Sequence, residues 1–165
     1  MGANHLKPLA SAPDSLLANI ELVASDIDGT MTCDGVIPSK VIAAVELLTE
    51  NGVQVLPVTG RPAGEALGLA RYLPGVNQAI AENGAVHVIP NRSVRALWQI
   101  PNREHLIDVA QSLADHVGPL RLAEDGFCRM ADLAFLRQGR DEATLEQMNQ
   151  AATSAGVSLV WSSVH

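Results

Sequence analysis

The sequence predicts an α/β fold, in which a parallel sheet core is followed by a small α+β cap domain. Two observations predict it. Strand-like and helix-like segments alternate from residue 20 to residue 81, which is the order that builds a parallel sheet with right-handed crossovers. After Pro101 the order becomes helix, two short strands, helix and strand, which is typical of helices layered on an antiparallel sheet.

Each element of the core has its own signal in the sequence. Short apolar runs predict buried strands, Ser39 and Pro62 mark helix starts, and Asn51-Gly52 marks a helix end. The predicted elements are a strand at 20–27, a hairpin at 29–38 around Asp34-Gly35, a helix at 40–51, a strand at 53–58, a helix at 62–73, a strand at 78–81, and a hairpin of 85–89 with 94–98. Together they predict a Rossmann-like core.

The part after Pro101 is predicted to form the cap. Its predicted elements are helices at 102–117 and 141–155 and strands at 119–123, 128–136 and 157–161. We expect three regions along the 165-residue chain, namely a flexible tail at 1–17, a core at 18–100 and a cap at 101–165 that is truncated at its end.

The composition excludes several classes of function. The net charge is −7, and no basic run or stripe is present, so we expect neither nucleic acid nor a membrane as a partner. No stretch approaches the ~18 apolar residues of a membrane span, and residues 1–14 lack the apolar segment of a signal peptide. Cys33 and Cys128 are not part of a CxxC pair, so a reducing, cytoplasmic location is predicted.

Two carboxylates stand where the first strand ends, in the stretch Asp26-Ile27-Asp28-Gly29-Thr30. Alternation along an extended chain places Asp26 and Asp28 on the same side, where they would repel each other unless a cation lay between them. Oxygen ligands suit Mg²⁺, and open α/β sheets bind ligands at the carboxyl ends of their strands. The stretch therefore predicts a magnesium site, although Asp-Gly is also a common turn dipeptide.

A second polar strand end follows the next strand, at Thr59-Gly60-Arg61. Neighbouring parallel strands end at the same edge of a sheet, so we expect Thr59 to lie beside Asp26. The Thr59 hydroxyl and the Gly60 N–H can donate to a phosphoryl oxygen, and Arg61 adds a positive charge near a helix N-terminus. An ordinary strand-to-helix turn would explain this motif alone, but the two polar strand ends together favour a phosphate site.

These two motifs, with Glu82-Asn83-Gly84-Ala85 after the third strand, resemble the haloacid dehalogenase (HAD) superfamily of phosphatases. The closer resemblance is to its sugar-phosphatase-like branch, which carries a C2-type cap after the third core strand and includes phosphoglycolate, sucrose-phosphate and mannosyl-phosphoglycerate phosphatases. The resemblance is strong over residues 20–90. In the cap it depends on the order of the elements and on a loose match at 129–134.

The resemblance implies a role for each site residue. Asp26 would be the nucleophile that forms an aspartyl-phosphate, and Asp28 would be the general acid and base. Mg²⁺ would bind Asp26, the backbone carbonyl of Asp28 and the phosphate. The further residues implied to contact phosphate or substrate, or to support their loop, are Thr30, Thr59, Gly60, Arg61 and Asn83. A simple turn explains Asn83-Gly84 equally well.

The chain departs from the family pattern after the cap. That pattern has a lysine that neutralises the aspartate and the phosphate, and an acidic pair that completes the Mg²⁺ site. The lysines of this chain are Lys7 and Lys40, and no Gly-Asp acidic pair follows Trp161. We therefore expect a weak Mg²⁺ site and impaired or absent turnover. We also expect the third strand to leave an exposed edge.

The most specific function that the sequence predicts is Mg²⁺-dependent hydrolysis of a small phosphorylated metabolite. Two alternatives stay open, namely a non-catalytic protein that binds a phosphorylated ligand or a partner, and a phosphotransferase of the phosphomannomutase kind. The substrate itself is not specified. A homodimer through the cap or the exposed sheet edge is one expected mode of assembly. The arginines that we expect to attract an anionic substrate are Arg61, Arg92, Arg129 and Arg137.

Overall fold

The structure, a computed structural model, describes residues 9–161. Its helices and strands are α1 (Asp14–Leu17), β1 (Leu22–Ser25), α2 (Ser39–Glu50), β2 (Gln54–Pro57), α3 (Ala63–Tyr72), β3 (Ala79–Ala81), β4 (Val86–Ile89), β5 (Ser93–Ala96), α4 (Arg103–Val117) and α5 (Glu142–Ser154). Of the predicted tail at 1–17, residues 1–8 lie outside the described part, and the remainder contains α1. The predicted α/β class is confirmed.

The strands lie side by side in chain order. β1 and β2 are parallel, with Ser25 opposite Pro57, as a right-handed crossover through α2 requires. A parallel bridge between Val58 and Ile80 then joins the end of β2 to β3. β3, β4 and β5 continue as an antiparallel meander. The carboxyl ends of β1, β2 and β3 therefore meet at one edge of the sheet.

The exposed edge that we predicted at the third strand is wrong. β3 has a neighbour on each side, because Ile80 bridges to Val58 on one side and β4 pairs with the strand on the other. Within residues 9–161 the outermost strands are β1 and β5. The side chain of Leu22 on β1 is 47% exposed, in keeping with an edge position.

Small side chains build the core between α3 and the sheet. The face of α3 that carries Ala63, Ala66 and Ala70 is buried, and it lies against β3 and β4. Methyl groups on that face let the helix approach the strands closely, so a chain with only 3% aromatic residues can still fill its core. The buried residues that face α3 from the strands are Ala79, Ala81, Val86 and Val88.

The hairpin predicted at 29–38 is present as a tight two-residue turn. Cys33 and Val36 exchange backbone hydrogen bonds of 2.8 and 3.1 Å. Asp34 and Gly35 between them have φ values of 50° and 76°, which is the left-handed pair that an Asp-Gly hairpin turn requires. The turn directs the chain from the end of β1 into α2.

The helices predicted after Pro101 are present and pack on each other. Asn102 caps α4 by accepting from the Glu104 N–H at 2.9 Å, and Asp141 caps α5 by accepting from the Thr144 N–H at 2.8 Å. Hydrogen bonding to Thr144 holds the pKa of the Asp141 carboxyl below its ordinary value. The two helices share a second apolar cluster made of Val109, Leu113, Leu145, Met148 and Ala152.

The strands predicted after Pro101 are wrong for the described residues. The segments 119–123 and 128–136 are joined by a bridge between Leu122 and Phe135 and form no longer ladder. A ladder cannot extend because the N–H groups of 130–132 donate to the Glu82 carboxylate instead. Residues 157–161 form no strand, since the Val157 N–H bonds back to the end of α5.

The second part of the chain also contributes to the first core. Ala131 is buried in the same cluster as Ile27, Val55 and Ala66, so the segment that contains it is packed into the sheet domain. The domain bounds at 18–100 and 101–165 stay a prediction. Among the helices of residues 9–161, none is both long and apolar enough to cross a membrane.

Two glycine substitutions should change stability in opposite directions. Gly75 has a φ of 74°, and a Cβ there would collide with the Thr49 side chain. Gly75→Ala should therefore lower the free energy of unfolding by about 2 kcal/mol or more. Gly68 lies inside α3 with open space around an added Cβ, so Gly68→Ala should raise it by about 1 kcal/mol. Urea denaturation compares the two, and an unchanged stability of Gly75→Ala would contradict the packing described for it.

Candidate functional site

A cavity of about 740 Å³ lies at the carboxyl ends of the first strands, facing the segment 120–137. The sheet brings the predicted motifs together there, since the Val58 N–H donates to the Ser25 carbonyl at 2.8 Å and aligns the two strand ends. Thr30 and Thr59 are not among the residues that line the cavity. Five of the seven predicted site residues do line it, namely Asp26, Asp28, Gly60, Arg61 and Asn83.

Asp26 presents an open carboxylate to this cavity. The residue is exposed, and no group among residues 9–161 donates a hydrogen bond to its side chain. The loop behind it is tightly wound, because the buried Ile27 accepts three backbone N–H groups at its carbonyl, at 3.2, 2.9 and 2.9 Å. The Asp26 carboxylate is therefore accessible from the cavity, and backbone hydrogen bonds hold the loop that carries it.

Asp28 is engaged at both carboxylate oxygens by Arg61. The guanidinium donates from Nε at 2.8 Å and from Nη2 at 2.7 Å, and its Nη1 donates to Glu65 at 2.6 Å. The hydrogen bonds to Asp28 raise the pKa of Arg61 above its ordinary value despite partial burial, and Glu65 adds to the rise. The predicted phosphate role of Arg61 stays a prediction, since its guanidinium faces two carboxylates here.

Thr59 lies just behind the cavity wall. Its side chain is buried, and its hydroxyl oxygen accepts from the Arg61 N–H at 3.1 Å. Its backbone N–H donates to Ile80 at 2.9 Å and its carbonyl accepts from Asn83 at 3.2 Å. Thr59 thus joins the ends of β2 and β3, while Thr30 sits exposed in the turn after Asp28. Their predicted contacts with phosphate stay predictions.

Gly60 and Asn83 meet at the cavity floor. Asn83 has a φ of 55°, in the left-handed region that Asn tolerates. This conformation carries its amide beside Gly60, where a Cβ on residue 60 would stand 2.9 Å from the Asn83 Oδ1. The absence of a side chain at Gly60 therefore lets the Asn83 amide approach the backbone that follows β2. Of the two interpretations of Asn83, the structure supports a turn that also faces the cavity.

A buried carboxylate fastens a segment between α4 and α5 to the core. Glu82 is 2% exposed and has a left-handed φ of 51°. Its carboxylate accepts N–H groups from Ala63 at 2.9 Å, from Met130 at 2.9 and 3.1 Å, and from Ala131 at 2.5 Å. A buried anion needs such donors to offset its lost hydration. Glu82 thereby ties the start of α3 to the segment 130–132.

A buried arginine completes the same junction. Arg129 pairs with Asp125 through Nε and Nη2 at 2.9 and 2.7 Å, and its Nη1 donates to Asp132 at 2.9 Å and to the Gly60 carbonyl at 3.1 Å. Burial opposes the charge of Arg129, but these hydrogen bonds hold its pKa above the ordinary value. Burial also raises the pKa of Asp132, against the hydrogen bond from Arg129.

The expectation that Arg129 attracts substrate is therefore wrong, because its guanidinium is buried and saturated by protein acceptors. Arg92 lies in the exposed turn between β4 and β5 and does not line the cavity. Arg137 does line it. Sequence reasoning missed Arg121 and Arg140, which line the cavity from the same side.

Two protein oxygens at the cavity fit a divalent cation. The Asp26 carboxylate is open, whereas both carboxylate oxygens of Asp28 are bound to Arg61, which leaves the backbone carbonyl of Asp28 as its donor. Mg²⁺ needs few protein oxygens, since it keeps several waters and binds substrate phosphate. Among residues 9–161, no group of three or more acidic, His or Cys side chains is arranged to hold a metal. The donor set therefore fits a cation shared with a phosphate.

With this fold and this cavity, the chain belongs to the haloacid dehalogenase-like hydrolase family. The sequence profile of that family matches residues 23–124, which is more than half of the 165-residue chain. The predicted family is thus confirmed, and the chain is a hydrolase by ancestry. The matched range contains both motifs, at Asp26–Thr30 and at Thr59–Arg61.

Particular relatives agree with this assignment. The chain is 30% identical over 101 residues to a phosphoglycolate phosphatase of Staphylothermus marinus, a match that covers 59% of this chain and 42% of that protein. Protein 0175 of Thermoplasma acidophilum superposes with a TM-score of 0.73 at 20% identity, over 86% of this chain and 60% of that one. A haloacid dehalogenase-like hydrolase from Bacteroides thetaiotaomicron superposes with a TM-score of 0.53 at 18% identity, over 87% and 52%.

The chain thus spans less than half the length of the curated relative and 60% of the Thermoplasma protein. The two solved structures share its fold.

Glu82 and Glu65 are the site-building residues that sequence reasoning passed over. The sequence predicts a turn at Glu82, because nothing local shows that the donors to its carboxylate come from 130–132. Glu65 had a usable signal, since it stands four residues after Arg61 and i,i+4 ion pairs are common on helices.

Glu82→Gln tests the junction. The substitution keeps the shape but turns an NH₂ group toward backbone N–H donors, so we expect the free energy of unfolding to fall by about 2–4 kcal/mol. Glu50→Gln, at an exposed position at the end of α2, should change it by less than about 0.5 kcal/mol. Hydrogen exchange of the 130–132 amides should quicken in Glu82→Gln alone. Equal stability of the two variants would contradict the role assigned to Glu82.

Proposed function

We propose that the cavity at the ends of β1 and β2 hydrolyses a small phosphorylated metabolite, with Asp26 as the nucleophile. The observation that carries this proposal is the pairing of an open Asp26 carboxylate with an Asp28 carboxylate held by Arg61 at 2.7 and 2.8 Å in the same cavity. One group is free to attack and the other is fixed in orientation. Membership of a hydrolase family supports the same chemistry.

The proposed reaction has two displacements at phosphorus. An Asp26 oxygen forms a bond to phosphorus, and the bond from phosphorus to the ester oxygen breaks. Asp28 gives its proton to the departing alkoxide. In the second step Asp28 takes a proton from water, the water oxygen attacks the same phosphorus, and the Asp26 carboxylate is regenerated with release of phosphate. Asp28 would carry this proton on an oxygen that turns from Arg61, while its other oxygen still accepts from Arg61 and keeps the group oriented.

The neighbouring groups would hold the phosphoryl oxygens during these steps. The Gly60 N–H and the Asn83 amide face the cavity floor, and both can donate to an anion. The Thr59 hydroxyl can donate if it turns from its place behind the wall, and Thr30 supports the loop that carries Asp26 and Asp28. These contacts orient the phosphorus for in-line attack.

Mg²⁺ is part of the proposal. The Asp26 carboxylate and the Asp28 carbonyl would hold it, and when bound it lowers the repulsion between the nucleophile and the phosphate dianion. We place the reaction in the cytoplasm. Cys33 and Cys128 are both free thiols, and proteins of reducing compartments usually keep their cysteines in that form.

The substrate class that we propose is a small phosphorylated acid such as phosphoglycolate, the substrate in the name of the Staphylothermus marinus relative. Arg121 and Arg137 line the same cavity as Asp26 and come from the segment between α4 and α5. No group among residues 9–161 accepts a hydrogen bond from the Arg121 guanidinium, so this charge can receive a carboxylate. An ester with anions at both ends would bridge the cavity.

Binding without turnover is a second candidate function. Among residues 9–161, arginines line the cavity but no lysine does, and the family pattern pairs a lysine with the phosphoryl group. A cavity with this charge set can still hold a phosphate. Binding of phosphoglycolate in titration calorimetry, combined with no phosphate release, would favour this candidate over hydrolysis.

An assay with and without Asp26 tests the proposed hydrolysis. The protein is incubated with phosphoglycolate or p-nitrophenyl phosphate and Mg²⁺, and free phosphate is measured. Asp26→Asn should lower the rate by about 10³-fold or more, because it removes the nucleophile. Asp34→Asn in the hairpin turn is the matched control and should stay within about 2-fold, since Asn tolerates the left-handed conformation. Equal rates for the wild type and Asp26→Asn would contradict the proposed role of Asp26 as the nucleophile.

Arg121→Ala tests the substrate class. Loss of a charge-assisted hydrogen bond should raise KM for phosphoglycolate by about 10-fold or more. KM for p-nitrophenyl phosphate should stay within about 2-fold, since that ester has no carboxylate to pair. Arg92→Ala, at the exposed turn, serves as the control. A similar rise for both esters would show that Arg121 does not recognise the acid group.

A further inference from the structure

The carboxylate of Asp28 is bound by Arg61, and Arg61 is bound in turn by a second carboxylate, that of Glu65. Arg61 binds Asp28 through Nε and Nη2, and its remaining nitrogen, Nη1, donates to Glu65 Oε2 at 2.6 Å. We propose that Glu65 is a positioning residue for Asp28 and acts through Arg61. The inference rests on the proposed function for the acid role of Asp28, but not for the geometry of the triad.

Glu65 is available for this role because of the residue that caps α3. The helix begins at Ala63, so Glu65 is its third residue, and the N-cap is Pro62. A Glu at this helix position commonly reaches back to bond the N–H of the N-cap. Proline has no N–H, so that bond cannot form here. The carboxylate of Glu65 is left to pair with the side chain of Arg61.

The backbone of Arg61 is fixed, whereas its side chain depends on ionic partners. The Arg61 N–H donates to the Thr59 hydroxyl at 3.1 Å, and the Arg61 carbonyl accepts from the Glu82 N–H at 3.0 Å. A long arginine stem can still adopt many rotamers unless its planar head is held on more than one edge. Asp28 holds one edge of the guanidinium, and Glu65 holds its remaining nitrogen.

Packing does not replace Glu65 in this task. Arg61 and Glu65 line the catalytic cavity, and they also line a second cavity of about 490 Å³ beside α3. The Arg61–Glu65 ion pair therefore lies between the two cavities, and its side chains are 31% and 38% exposed. A guanidinium with space on both sides keeps its orientation only through its hydrogen bonds. Loss of the bond to Glu65 would let the Arg61 guanidinium rotate, and the Asp28 carboxylate that is bound to it would change its orientation as well.

The two displacements differ in how this loss would show. The second step, in which Asp28 takes a proton from water, is the same for every ester, whereas in the first step a general acid matters most when the leaving group is a poor one, since an alkoxide needs a proton as it departs. A p-nitrophenolate leaves well without that proton. Misplacing Asp28 should therefore slow the first displacement on an alkyl phosphate far more than that on p-nitrophenyl phosphate.

Glu65→Ala, which removes the acceptor, tests the proposal, with Glu46→Ala on the exposed face of α2 as the matched control. For glycerol phosphate, the single-turnover rate of glycerol release by Glu65→Ala should fall about 10-fold, a part of the 10²–10⁴ that general acid catalysis supplies. For p-nitrophenyl phosphate, the single-turnover rate of p-nitrophenolate release should stay within about 2-fold of the wild type. Glu46→Ala should resemble the wild type on both esters. An equal fall on both esters, or no fall on either, would overturn the proposal.

A second readout does not depend on turnover. In proton NMR of the unliganded protein, the Nε–H signal of Arg61 should exchange slowly with water in the wild type and in Glu46→Ala, and it should broaden in Glu65→Ala. An unchanged Arg61 signal would overturn the positioning role. If the wild type hydrolyses neither ester, the proposed function fails, and the NMR comparison still decides whether Glu65 holds Arg61 on Asp28.

Discussion

The structure depends on the buried carboxylate of Glu82, which links the sheet to the segment 130–132. Hydrogen bonds to this carboxylate form where the sequence predicted strand pairing. Glu82 is removed from water and accepts backbone N–H groups from Ala63 and from 130–132. A buried charge with too few donors costs several kcal/mol, so these two segments must stay together for Glu82 to stay buried. Arg129 obeys the same constraint with opposite sign and ends on the Gly60 carbonyl. One network of hydrogen bonds therefore holds both the turns at the strand ends and the segment 129–132.

This constraint explains how the cavity residues can be held without large side chains around them. Gly60, Arg61 and Asn83 lie on short turns whose backbone is bonded to Thr59 and Glu82. Because those turns are fixed, a few ionic contacts are enough to orient Asp28, while Asp26 stays open to the cavity. In the proposed reaction, fixed dipoles and charges of this kind would stabilise developing charge without reorganising. The arginines that line the cavity would then favour the anionic substrates that we propose.

Much of this arrangement can be predicted from the sequence, because local signals specify it. The apolar run before Asp26, the Asp34-Gly35 turn and the helix after Pro62 each depend on neighbouring residues, and the parallel order of β1 and β2 follows from the crossover between them. The meeting of Asp26, Asp28, Gly60 and Arg61 follows as well, since adjacent parallel strands end at one edge. The two acids also predict a cation or phosphate site at that edge.

The remainder depends on contacts between distant residues, which periodicity does not report. The sequence around 128–136 is rich in apolar residues like a strand, but the N–H groups of Met130 and Ala131 donate to Glu82, nearly fifty residues away. Arg129 resembles a substrate ligand until Asp125 and Asp132 are seen to enclose it. The edge expected at β3 is absent because Val58, one residue past the observed end of β2, bridges to Ile80, while β4 pairs on the other side.

Trapping of the reaction intermediate tests the central claim most directly. The protein is mixed with substrate and Mg²⁺, quenched in acid and reduced with borohydride, which converts an aspartyl-phosphate to homoserine, and the peptides are sequenced by mass spectrometry. The account predicts homoserine at position 26. Release of phosphate with homoserine at position 28, or at no position, would contradict it.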